Sequence, residues 1–136
     1  MRKYLKRLAL VLCLVLAFCT SVSVMAQSVS VTIYTSDPYA DSNTMVCYGN
    51  VKFEGCNSIY SDRNLTIFLR QKTGTSAYSD IASSTLPPGT GWIGGTWHTI
   101  SESQPVPSGG LMYVHLEPTG GATSGCYGAG RITINS

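Results

Sequence analysis

The side chains equipped for proton chemistry near neutral pH are two histidines, His98 and His115. Set with a serine or with Cys47, and with Glu102 or Glu117, either could build a nucleophile–base–acid triad. The spacing gives this no support. No serine stands in a G-x-S-x-G elbow, and both histidines fall in segments that alternate apolar and polar residues. The seven acidic residues are scattered singly, mostly in turns, and do not form the facing pair that glycoside hydrolysis requires. Asp37, Asp41, Asp62 and Asp80 offer loop oxygens that calcium would accept, but without the dense acidic run of a calcium loop they read as turn formers. No C-x-x-C pair marks a thiolate metal site. The residues point to no catalytic centre, no metal and no cofactor.

A binding surface is better represented. In Gly91-Trp92-Ile93-Gly94-Gly95-Thr96-Trp97-His98, strict strand alternation places Trp92 and Trp97 on opposite faces. A bulge at Gly94-Gly95 would bring both to one face. Tyr113 and His115 lie on the outward side of a later alternating segment and could extend the same platform. Tryptophan and tyrosine offer flat, rigid, apolar area with a polar edge, which suits contact with a glycan or a protein. Trp92, Trp97, Tyr113 and His115 are therefore the candidate binding residues.

What precedes these residues reads as an address. Arg2, Lys3, Lys6 and Arg7 form a positive start, Leu8 to Phe18 is an apolar run of eleven, and Val24-Met25-Ala26 has the small-residue pattern of a cleavage site. Eleven residues span about 16 Å as helix, against the roughly 30 Å of a bilayer core. A removable secretory signal over residues 1–26 is expected, with a single domain over 27–136 and secretion to the periplasm or the extracellular space. Cys19 follows bulky Phe18, which argues against lipid attachment, and Leu86-Pro87-Pro88-Gly89-Thr90-Gly91 lies mid-chain as a loop rather than a sorting signal. Asn64-Leu65-Thr66 matches a glycosylation sequon. No second apolar stretch suggests stable membrane insertion.

The formal charge of +2 comes from that leader. Beyond residue 26, five basic residues face seven acidic ones. Neither a nucleic-acid surface nor a cationic membrane-active peptide has that balance.

The remainder alternates with period two almost throughout. Val29, Val31 and Ile33 share one face; Leu65, Ile67 and Leu69 another; Met112, Val114 and Leu116 a third. Clusters of Gly, Pro, Asn, Asp and Ser punctuate the runs. Seven strands are predicted, near 28–35, 45–54, 64–71, 77–83, 91–100, 110–117 and 126–134. They suggest an all-β, two-sheet antiparallel sandwich of immunoglobulin-like size, or else a small barrel. Cys47, Cys56 and Cys126 remain after the leader. If consecutive strands reverse direction, Cys56 and Cys126 fall at the same end, while Cys47 lies roughly 25 Å away by strand rise. A Cys56–Cys126 disulfide is expected, with Cys47 as a buried thiol.

These features describe a secreted, non-enzymatic β-sandwich that acts through an exposed aromatic surface on a glycan or on a secreted or cell-surface protein. A small secreted antimicrobial or toxin-like protein is the alternative.

Overall fold

Strands with one apolar and one polar face are stable only when the apolar faces are stacked, and nine strands among the described residues do that in two antiparallel sheets. The computed structural model describes residues 2–7, 9 and 27–134. Most of the expected leader, including the Val24-Met25-Ala26 motif, lies outside the described residues. The strands are β1 (Ser28–Ile33), β2 (Ala40–Asp41), β3 (Met45–Cys47), β4 (Asn50–Asn57), β5 (Leu65–Lys72), β6 (Tyr78–Leu86), β7 (His98–Pro105), β8 (Gly110–Pro118) and β9 (Gly128–Ile134). One sheet has the order β1-β9-β4-β7 and the other β2-β8-β5-β6, with β3 also paired to β8.

The expected small antiparallel sandwich is present, with a different connectivity from the immunoglobulin order. If β2 and β3 count as one interrupted strand, the chain crosses between sheets at every step except the β5–β6 hairpin. That is the double Greek key of a jelly roll.

The strand bounds shift by up to three residues at several ends, and two segments differ in kind. The segment expected at 45–54 is broken at Tyr48-Gly49, where Gly49 takes a φ of 76° that other residues resist. Its first part pairs with β8 in one sheet, and its second part enters the other. The segment expected at 91–100 is strand only from His98. Before that, Trp92 N–H donates to the Thr96 carbonyl at 2.9 Å and Gly95 N–H to the Trp92 carbonyl at 3.0 Å, closing a glycine-rich loop.

The core lies between the sheets and is built from Ile33, Val51, Phe53, Leu65, Ile67, Leu69, Met112, Val114, Leu116 and Ile132, all fully buried. At Gly130 a Cβ would stand 2.7 Å from Val114 Cγ1 and 3.0 Å from Leu116 Cδ2, so the opposite sheet fills the space a side chain would need.

The expected Cys56–Cys126 disulfide is not formed; Cys47, Cys56 and Cys126 are all free and buried. The two residues do fall at the same end, but they face opposite ways. Cys126 belongs to the core between the sheets, its Sγ 3.4 Å from the Asn64 carbonyl. Cys56 shares strand parity with Lys52 and Glu54 on the outer face, where Gly91 of the β6–β7 loop covers it. End-to-end position was readable from strand direction, but side-chain facing depends on register. Cys47 is buried in the core, as expected of a small apolar side chain.

Candidate functional site

The four candidate residues do not form one platform. Tyr113 and His115 stand on the outer face of the five-stranded sheet, where β8 pairs with β5 on one side and β2 on the other. The tryptophans belong to the opposite side of the molecule. Trp97 is half-buried under the guanidinium of Arg131, 4.2 Å from its ring centroid, on the outer face of the four-stranded sheet. Trp92 is 67% exposed on the β6–β7 loop, its ring lying against Gly94 and Gly95.

Around Tyr113 and His115 the surface sinks into a trough of about 710 Å³. Its floor is Arg70, Tyr113 and His115. One wall is the β5–β6 hairpin with Tyr78, and the other runs from Tyr39 through Asp41 to Thr44. Strand parity explains the floor. Leu65, Ile67 and Leu69 point into the core, so Phe68 and Arg70 point out, directly beside their register partners His115 and Tyr113.

The floor is a packed ladder of rings and charges. Tyr39 stacks on His115 at 5.7 Å between centroids, and Phe68 lies tilted at 5.8 Å on its other side. Arg70 sits 4.6 Å from the Phe68 centroid and 4.0 Å from that of Tyr78, while its Nε donates to Asp80 Oδ1 at 2.7 Å. His115 and Arg70 are buried although they lie on an outer face. Burial opposes the charge of Arg70, but the hydrogen bond and charge of Asp80 hold the guanidinium above its ordinary range. Burial pushes the Tyr113 phenol up; neighbouring Arg70 acts against the shift without reversing it.

His115 is held at both nitrogens. Nδ1 lies 2.5 Å from Asp41 Oδ1, and Nε2 lies 3.1 Å from Glu117 Oε2. Carboxylates only accept, so both contacts are hydrogen bonds at once only when the ring carries two protons. The arrangement turns both ring nitrogens toward carboxylates. Ser42, one of the hydroxyls lining the trough, is engaged elsewhere: its Oγ donates to the Asn43 carbonyl at 2.8 Å and accepts the Val114 N–H at 2.9 Å. Among the described residues no group of three or more His, Cys, Asp or Glu is arranged to hold a metal ion.

Tyr39, Asp41, Arg70, Tyr78 and Glu117 were not among the residues singled out as binders. Arg70 and Glu117 carried a signal, since the alternation that turns Tyr113 and His115 outward turns them outward as well. Tyr39 and Asp41 carried none. They enter the site through β2, a two-residue strand too short to announce itself in sequence.

Fold and site together define a jelly-roll protein with a recessed aromatic and charged trough on one sheet face. No protein-family model matches the chain, and no curated protein does. Among solved structures, the Yersinia pseudotuberculosis-derived mitogen has partial similarity to it, at 7% identity and a TM-score of 0.39, over 82% of this chain and 87% of the mitogen chain.

Proposed function

We propose that this is an exported binding protein that takes a glycan in the trough on the outer face of its five-stranded sheet. The observation that carries the reading is the convergence there of three tyrosines, Tyr39, Tyr78 and Tyr113, with Asp41, Glu117 and Arg70. A sugar ring has an apolar face of C–H bonds and an edge of hydroxyls. Tyrosine rings suit the first, and carboxylates and a guanidinium that are already fixed suit the second. Preorganisation matters because a ligand that finds its partners in place does not have to order them. Arg70 clamped between two rings and His115 held at both nitrogens satisfy that condition.

A binding role agrees with the chemistry of His115 better than catalysis does. A general base needs a free lone pair within reach of the proton it removes, and this ring directs both nitrogens at carboxylates. The candidate surface thus keeps Tyr113 and His115, gains the trough residues and leaves the tryptophans outside it.

Glycan-array binding of the protein tests this reading. Tyr39→Ala and Tyr78→Ala should each weaken binding by roughly ten-fold, on the order of one aromatic contact. Trp92→Ala, remote from the trough, should bind as the parent does. Parent protein that binds no glycan, or a Tyr39→Ala/Tyr78→Ala double variant with unchanged affinity, would remove the proposal.

A further inference from the structure

The register of the sheets gathers four connections at one end of the sandwich: residues 34–39, 58–64, 87–97 and 119–127. This end presents Tyr34 at 57% exposure, Ile59 at 72%, Tyr60 at 79% and Trp92 at 67%. We propose that it adsorbs reversibly to a zwitterionic membrane interface through these four side chains.

The tips are held rather than loose. Asn57, fully buried at the end of β4, donates from Nδ2 to the Leu86 carbonyl at 2.8 Å and the Arg63 carbonyl at 3.0 Å. Its backbone also exchanges hydrogen bonds with the 87–97 loop, Asn57 N–H to Thr90 at 2.7 Å and Gly89 N–H to Asn57 at 2.8 Å. Ser61 ties 58–64 to 119–127, accepting the Tyr127 N–H at 2.8 Å and donating to the Tyr127 carbonyl at 3.1 Å. Tyr34 stacks on Tyr127 at 5.8 Å, and Gly125 N–H donates to the Thr35 carbonyl at 2.8 Å. Loops fixed in advance lose little backbone freedom on adsorption.

Charge and side-chain type select a lipid interface over a protein partner. The four loops contain only Asp37, Asp62 and Arg63 as charged residues, and 87–97 and 119–127 contain none. Asp37 is turned back, accepting the Tyr34 N–H at 2.9 Å. Charged side chains resist entry into the interface, while Trp and Tyr concentrate there. A formal balance of one negative charge favours zwitterionic over anionic lipid.

The test uses the full chain with Trp97→Phe, so that Trp92 is its only tryptophan, and residues 1–26 are common to every variant. With phosphatidylcholine vesicles the protein should co-sediment, Trp92 emission should shift to the blue, and brominated acyl chains should quench it. Ile59→Ser/Tyr60→Ser should lower partitioning by at least roughly ten-fold with an unchanged far-ultraviolet spectrum, since both side chains are exposed. In the parent background Trp92→Ala, also at an exposed position, should weaken sedimentation in the same direction. Failure of the parent to sediment, sedimentation without a change in Trp92 emission, equal partitioning of the serine variant, or binding confined to phosphatidylserine vesicles would each overturn the proposal.

Discussion

His115 and Asp41 are direct register partners across β8 and β2, and their side chains meet at 2.5 Å over the trough. A two-residue strand has little backbone pairing to hold it, so this contact also anchors β2 to the sheet. Truncating either side chain should therefore disturb the other. In a double-mutant cycle of Asp41→Ala and His115→Ala, unfolding in urea should give a coupling energy of about 1 kcal/mol, discounted because the carboxylate is partly solvated. Each single variant should also weaken glycan binding. Additive stabilities would mean that the pair is only a neighbourly contact.

Gly130 makes a different kind of demand on the sequence. A methyl group there would press on the side chains of Val114, Leu116 and Ile67, which close the opposite wall of the core. Overpacking of this sort costs about 1–3 kcal/mol, so Gly130→Ala should lower Tm by several degrees in a scanning calorimeter. Gly74→Ala, in the exposed β5–β6 turn with nothing closer than 3.4 Å, should stay near the parent value.

The division between what the sequence revealed and what it withheld follows from the range of the interactions. Period-two alternation is local, and it identified most strands, their inward residues and the outward position of Tyr113 and His115. The fold class was legible for that reason. Connectivity was not, because the choice between immunoglobulin and jelly-roll order rests on which sheet each strand joins, and those pairings link residues far apart in sequence. Facing near chain breaks was not legible either. Cys56 and Cys126 share an end and point to opposite faces, because Cys56 has the parity of Lys52 and Glu54 while Cys126 has that of the core residue Ile132. Half the trough arrives from distant segments: Tyr39 and Asp41 reach Arg70 and Tyr78 only through β8 and β5.

Trp97 and Trp92 should separate cleanly in stability measurements, although they stand five residues apart in one glycine-rich stretch. Trp97 lies under Arg131, whose Nε and Nη2 reach the two Glu54 oxygens at 3.0 and 3.3 Å. Glu54 is itself buried, and Lys52 approaches it at 3.8 Å. Removing the indole exposes this charged cluster to water and takes away the ring beneath the guanidinium. Trp97→Ala should cost about 1–2 kcal/mol in urea unfolding, whereas Trp92→Ala, on an exposed loop, should stay within about 0.5 kcal/mol. Equal losses would place both rings in the packing.

Three buried thiols of the sandwich give the protein an alkaline limit. Burial raises Cys47, Cys126 and Cys56 above the ordinary value of 9.0, and in Cys56 the Ala129 backbone hydrogen bond and the Arg131 charge oppose burial without cancelling it. A raised folded-state value means that the folded protein keeps protons that the unfolded chain has released. Stability from this source is fully present below about pH 9 and falls as pH rises toward the folded-state values. While the unfolded thiols ionise and the folded ones do not, each contributes a loss of about 1.4 kcal/mol per pH unit. Thermal unfolding followed from pH 7 to pH 10.5 should show a Tm that is level and then drops steeply above pH 9. Replacing the outward-facing thiol by Cys56→Ala should make the drop shallower, whatever it does to Tm at pH 7. An unchanged slope in that variant would assign the alkaline loss to other groups, of which Tyr113, also raised by burial, is the first to examine.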